Sequence, residues 1–291
     1  MSTELKTLNG YGFDATKLGG LDAQYYAQGR AAHNLLDNSD FTNPVNQRGA
    51  TTATLGKYFI DRWNTEAFSS GPSITIDSNG LTLLPTTSNT AGIYQKLPDY
   101  ENRKGKVHTF AICVDNVWKC VSFTMGNFGV GYLIHGLYFF SVDNQNILLR
   151  NNTSDNPAPI TIQRVALYEG SYTADTLPAY QPKGYAAELA ECMRYYQQYN
   201  ESEMSAVGNI ENGNIYIRCP LRAPMRVAPS LVQSSVDMWT TYNETTNKTK
   251  AFTFYSSTPQ LVNLKCVSSV ESNYLVVLAS NNTAVSFSAD L

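Results

Sequence analysis

The 291-residue chain is 43% hydrophobic, with 19 Tyr, 12 Phe and 3 Trp, which excludes intrinsic disorder and collagen-like architecture and suggests about two globular domains. Charged residues make up only 15%, and 21 Lys plus Arg against 24 Asp plus Glu leave a net charge of -3. There is no basic stripe to displace counterions from nucleic acid, and Asn, Thr, Ser, Gln and Tyr carry the polarity, a profile that suits neutral polar partners.

Residues 1–33 are small, polar and glycine-punctuated, with Lys17-Leu18-Gly19-Gly20 ahead of Ala23-Gln24-Tyr25-Tyr26. Too short to bury a core, they read as a linker, an N-terminal arm for attachment, a strip packed on another chain, or a disordered tail. Met1 to Gly12 lack the basic and apolar regions of a secretory signal, so export by that route is not expected. Membrane insertion is not expected either, because the longest apolar run, Leu275 to Ala279, falls far short of the ~20 residues of a span.

Residues 34–181 carry a β pattern. Period-two segments such as Ile74-Thr75-Ile76, Leu81-Thr82-Leu83 and Ile160-Thr161-Ile162 alternate with Gly, Pro, Asn and Asp clusters, as in a sandwich or jelly roll. Within Thr109 to Phe123, Asp115-Asn116 is placed as a two-residue hairpin turn. Val114 then faces Val117, Cys113 faces Trp118 and Ala111 faces Cys120. Ile112, Val114, Val117, Val121 and Phe123 form an aliphatic face that reads as core, with Trp118 on the opposite side.

Residues 182–200 predict a helix, with Ala186, Leu189, Ala190, Met193 and Tyr196 on one stripe and acids ahead of Arg194. It is expected to link two β modules. Strands resume over 201–291, at Ile215 to Cys219, Phe252 to Tyr255, Leu261 to Val267, Tyr274 to Leu278 and Val285 to Ser288, with Pro220, Pro224 and Pro229 interrupting the pattern. The expected class is therefore all-β, with a smaller C-terminal β-sandwich as the second domain.

Catalytic constellations are not evident. His33, His108 and His135 have no metal-ligand spacing and read as surface or hydrogen-bonded residues, and there is no nucleophile elbow or phosphate loop. The Gly126 to Gly131 stretch leads into Tyr132 to Phe140, which reads as strand, so it is no dinucleotide cradle. The five cysteines, 113, 120, 192, 219 and 266, are scattered without a CxxC pair and read as buried free thiols. Asp99 with Glu101, or Asp61 with Glu66, are carboxylate pairs of the type a glycosidase needs, yet acids in loops are ordinarily solvated surface. No catalytic residue, cofactor or metal is expected.

Sugar sites combine an exposed aromatic ring with amide and hydroxyl partners. Trp118 is a candidate platform, with Tyr132 and Tyr138 as neighbours on one face of the next strand; if that side of the hairpin is also covered, Trp118 is core. Trp239 with Tyr242 and Asn243, read as a loop of the C-terminal module, is a second candidate.

Asn34-Leu35-Leu36-Asp37-Asn38-Ser39-Asp40-Phe41, Asn43-Pro44-Val45-Asn46-Gln47-Arg48-Gly49 and Ile60-Asp61-Arg62-Trp63 resemble a family of phage and prophage tail-fibre or receptor-binding proteins. The Lys17 to Tyr26 arm, Tyr180-Gln181-Pro182 leading into Glu188 to Tyr196, and Pro220 to Arg226 with Pro229-Ser230 fit the same family in the same order. The resemblance implies a jelly roll similar to carbohydrate-binding modules, then a β head, in a homotrimeric tail appendage that recognises a host-cell polysaccharide and contacts other tail or baseplate proteins. It implies assembly in the bacterial cytoplasm, release by lysis and no catalytic residues. Asn34 to Phe41 and Trp63 would be structural, fixing a first strand and the core. A tail-associated depolymerase, a stand-alone bacterial lectin or adhesin, and a tail subunit without a ligand are the competing expectations.

Overall fold

The computed structural model describes residues 17–18, 21–22, 33–66, 71–126, 131–142, 146–152, 155–199, 203, 205–211, 213–232, 236–242, 246–267, 276–280 and 285–289. Strands β1 (Lys17–Leu18) and β2 (Leu21–Asp22) pair as a short antiparallel ribbon. Then follow β3 (Asn64–Thr65), β4 (Ser73–Asp77), β5 (Gly80–Leu84), β6 (Ala91–Lys96), helix α1 (Tyr100–Arg103), β7 (Val107–Val114), β8 (Val117–Thr124), β9 (Gly131–Ile134), β10 (Leu137–Val142), β11 (Asn146–Asn151), β12 (Ile160–Ile162) and β13 (Arg164–Glu169). Helix α2 (Tyr185–Met193) precedes β14 (Tyr196–Tyr199), β15 (Ser205–Glu211), β16 (Asn214–Pro220), β17 (Ser230–Leu231), β18 (Val236–Tyr242), β19 (Thr246–Thr258), β20 (Leu261–Val267), β21 (Val276–Ser280) and β22 (Val285–Ser288). The protein is all-β, with antiparallel pairing in every sheet.

The N-terminal strands form a sandwich-like stack. One sheet runs β3-β6-β11-β10-β9; β13-β7-β8 and β12-β5-β4 are three-stranded. Alternation sends Ile93, Leu149, Ile147, Phe139 and Leu137 of the first sheet inward to meet Phe110, Ile112, Val165 and Leu167 of the second and Ile74, Leu81 and Leu83 of the third. Phe110 and Phe139 stack across the interface, centroids 4.2 Å apart. The β7–β8 hairpin has the expected register, and Asp115 and Asn116 both adopt positive φ, as a tight turn matched to strand twist requires. Val117 departs from the expected core face: it lies at the hairpin tip and is 52% exposed.

The segment from Asn34 to Phe41 is not a regular strand. It runs beside β13, with Leu35 N donating to Leu167 O, Ser39 O accepting from Val165 N, and Phe41 N donating to Gln163 O, but only Asp40 and Arg164 form a bridge. Side chains compete for the backbone here. Asn34 Oδ1 accepts from the amides of Leu36 and Leu167, while Asn38, at φ 52°, donates to Val45 O and Asp61 O and accepts from Val45 N. Trp63 is fully buried, donates Nε1–H to Asn38 O at 2.9 Å and meets the edge of Phe41, so this loop anchors the core by side-chain bonds.

Helix α2 is shorter than predicted. It ends at Met193 with Arg194 as its C-cap, and Tyr196–Tyr199 is a strand paired with β22, where its tyrosines favour extended geometry over another helical turn. Its buried side also differs: Ala186 and Ala190 are exposed, while Cys192 is enclosed and Glu188 accepts a 2.5 Å bond from Asn38 N. The stripe was apolar in composition, but the neighbouring loop offers an amide donor and Lys183, which favour a carboxylate.

Downstream, β15-β16-β20-β19-β18-β21 close into a six-stranded antiparallel barrel, where the sequence predicted a sandwich, and β14-β22-β17 form a separate sheet. The barrel closes because β21 pairs with both β15 and β18, a non-local pairing that alternation alone does not announce. Ile215, Ile217, Cys219, Phe252, Val262 and Leu264 fill it. Under it, Gln197 is fully buried with its amide saturated: it donates to Met193 O and Ala223 O and accepts from Arg222 N and Tyr199 Oη.

Candidate functional site

The outer face of the five-stranded sheet gathers the groups a polar ligand needs. Because Ala91, Ile93 and Gln95 turn inward, the buried Gly92 and the half-buried Tyr94 and Lys96 turn to the other side; by the same alternation β11 turns Asn146, the buried Leu148 and Arg150 to that side, and β10 turns Tyr138. Cross-strand register aligns Gly92, Arg150, Tyr138 and Leu133 in one row, and Asn64, Tyr94 and Leu148 in the next. Glu66 enters from the end of β3, its amide bonded to Gly92 O at 3.0 Å.

Gly92 forms a floor. Its φ is not in the left-handed region, so space rather than backbone geometry demands glycine: a Cβ there would overlap Glu66 Oε2 and stand 3.1 Å from Arg150 Cγ. Over this floor Arg150 grips the Glu66 carboxylate bidentately, with Nε at 2.7 Å and Nη2 on the second oxygen. The bond to Glu66 holds the Arg150 guanidinium above its ordinary pKa, and burial with the Glu66 charge raises the Tyr94 hydroxyl, which stays a neutral donor. Tyr94 and Tyr138 are half-buried, and Leu133 at the edge is 65% exposed. The side-chain oxygens of Asn64 and Asn146 are buried beneath this face and have no hydrogen-bond partner. With its acid and base mutually neutralised, the face offers rings and hydroxyls more than charge.

Tyr138 is the sequence-predicted candidate that falls in this site. Tyr132 does not join it: the expected continuous strand is broken by His135 and Gly136, both at positive φ, which fold β9 back onto β10. Tyr132 therefore pairs with Phe139 and turns inward against Phe123, on the face opposite Tyr138. Trp118 is half-buried, with Tyr180 5.4 Å from its ring in a small cluster with Ala111, Ala166 and Tyr172, so that side of the hairpin is covered by the chain following β13. Trp239 and Tyr242 lie in strand β18, where a loop was expected; the β-favouring run Val236 to Tyr242 pairs with β19. Asn243 lies outside the described residues.

Tyr94, Arg150, Asn64 and Asn146 were not singled out from the sequence. Their alternation with Ile93, Leu149 and Ile147 is visible there, but which strands become neighbours is not. The carboxylate pairs are engaged: Glu66 by Arg150, and Asp61, 1% exposed, by Arg48 and Gln47. Asp99 and Glu101 are exposed around α1.

A cleft of about 410 Å³ lies between the 97–103 loop and α2, but its charges already face one another, Lys183 with Asp37 at 3.1 Å and Arg194 with Glu191 at 3.1 Å. With Arg62 over the Tyr195 ring at 3.5 Å and Arg48 over Tyr196 at 3.6 Å, it is a joint between elements. Burial lowers the pKa of His108, whose Nε2 has no partner, so it is neutral at pH 7. All five cysteines are free thiols. Among the described residues no group of three or more His, Cys, Asp or Glu side chains is placed to hold a metal ion, and no helix is long and apolar enough to cross a membrane. Compared with protein-family models and with curated protein sequences, the chain matches none.

Proposed function

We propose that this chain is a non-catalytic receptor-binding subunit of a phage or prophage tail, acting as a homotrimer, and that its jelly-roll module holds host-cell carbohydrate on the outer face of the five-stranded sheet. The observation that carries the reading is the row of Tyr138 and the Glu66–Arg150 pair over the Gly92 floor, with Tyr94 in the next row. Tyrosine rings stack on the apolar C–H face of a sugar while their hydroxyls and the Arg150 guanidinium bond to its hydroxyls. Tyr94 and Tyr138 stand two strands and one row apart, roughly 12 Å, a span that suits an oligosaccharide over one sugar. Such a site is shallow and weak alone, and three copies on one particle raise its avidity.

The test is binding of fluorescent protein to host cells and to their purified surface polysaccharide. Tyr138→Ala and Tyr94→Ala are expected to lower binding about tenfold each with the far-UV spectrum unchanged, and light scattering to give a particle near three chains. Undiminished binding by both variants refutes this face as the site, and a monomer refutes the tail-appendage reading.

A further inference from the structure

A second patch of different chemistry lies on the C-terminal barrel. In β16, Ile215, Ile217 and Cys219 point inside, so Asn214, Tyr216 and Arg218 point out. Register sets Lys265 and Thr253 beside Tyr216, and Asn263 and Ser256 beside Arg218. Between Phe254 and Ser256 the pairing slips, leaving Tyr255 as the extra residue of a β-bulge. A bulge redirects side chains, and here two consecutive aromatics emerge, Phe254 40% and Tyr255 51% exposed. Tyr216 meets Tyr255 edge to face at 5.3 Å, Lys265 Nζ stands 5.1 Å from the Tyr255 centroid, and Asn263 donates to Ser256 Oγ at 2.9 Å.

Among the described side chains, the charge in the rows of Tyr216 and Arg218 is one-signed. Among the described residues neither Arg218 nor Lys265 forms an ion pair. The acids at register positions here, Glu211 opposite Asn214 and Asp237 opposite Ala251, stand in the row beyond Tyr216 and Thr253. An aromatic ledge flanked by a guanidinium and an ammonium suits a ring with an apolar face and a carboxylate: the ring lies on Tyr255, and the carboxylate bonds to Arg218 and Lys265. We infer that the bulged outer face of the barrel is a second carbohydrate site, selective for uronic or other carboxylate-bearing sugars, independent of the neutral sheet-face site.

The test is calorimetric titration of the full chain with a galacturonic acid trimer, a hyaluronan tetramer and a sialylated trisaccharide, each beside an uncharged analogue. At least one acidic sugar is expected to bind about tenfold more tightly than its analogue, a preference that fades as salt rises from about 0.05 to about 0.5 M. Arg218→Gln and Lys265→Gln are expected to abolish most of that preference at unchanged melting temperature. Tyr255→Ala should weaken binding altogether, whereas Tyr138→Ala should leave it intact. Failure of all three acidic sugars to bind at ~1 mM overturns the inference, as does equal affinity for charged and uncharged sugars. Loss of oligomeric mass in Tyr255→Ala also overturns it, and marks the patch as a subunit contact.

Discussion

Replacing Gly92 with alanine tests whether the glycine exists to seat the Glu66–Arg150 pair. Glycine in a strand ordinarily costs roughly 0.5–1 kcal/mol relative to alanine, so without a clash the change stabilises the protein. At this position the new Cβ overlaps Glu66 Oε2 and lies 2.9 Å from its Cδ, tighter than any ordinary contact. The oxygen must retreat by more than about 1 Å to regain van der Waals distance, and its 2.7 Å bond to Arg150 Nε is lost. Charge-assisted bonds contribute about 1.5–3 kcal/mol; with the Arg150 side chain 33% exposed, solvent screening reduces this to about 1–2 kcal/mol. The expected net effect is destabilisation by about 0–1.5 kcal/mol. In a Glu66→Ala background the severe overlap is absent, only the 3.1 Å approach to Arg150 Cγ remains, and Gly92→Ala should stabilise by up to about 0.5–1 kcal/mol. Urea denaturation of the wild type, both single variants and the double variant reads the cycle. If Gly92→Ala stabilises the wild type, or the two substitutions are additive, the spatial argument is wrong.

Trp63→Phe removes the bond to Asn38 O and leaves a void under the 34–41 loop, which should cost about 2–4 kcal/mol in the same assay. Arg48→Met strips the main cation from the enclosed Asp61 carboxylate and should cost about 3–5 kcal/mol, of which adding Asp61→Asn restores a part. Burial pushes the Tyr168 and Tyr180 hydroxyls up to about 12. An acid with a raised folded-state pKa contributes stability that is intact below its unfolded value, near 10, and is lost as pH climbs toward the folded one. Tyr168, 2% exposed, should therefore account for about 2–3 kcal/mol of lost stability between pH 10 and 12. That loss should be absent from Tyr168→Phe in pH-dependent urea melts, and phenolate absorbance should report late ionisation in the wild type.

The all-β class and the β7–β8 register were legible in the sequence because both rest on local physics. Period-two alternation names the buried face of a strand, and Asp115-Asn116 supplies the positive φ a tight turn needs, so Cys113 faces Trp118 as read. The same parity carries one overlooked turn along the strand: an unbroken strand puts Tyr132 beside Tyr138, whereas the His135-Gly136 turn sends them to opposite faces. The Tyr196–Tyr199 strand reads as helix in the sequence because its pairing partner, β22, lies far along the chain.

What only the tertiary structure decided is adjacency. Glu66, Gly92, Tyr138 and Arg150 come from four separate stretches and meet because β3, β6, β11 and β10 are neighbours. Likewise Tyr255 reaches the barrel surface through a bulge defined only against β20, and the barrel closes through β21. Alternation fixes which side of its own strand a residue takes, at an energy set by local burial. Which strands lie next to it is set by the packing of all inward faces together, and that sum over the whole chain is not written in any one segment.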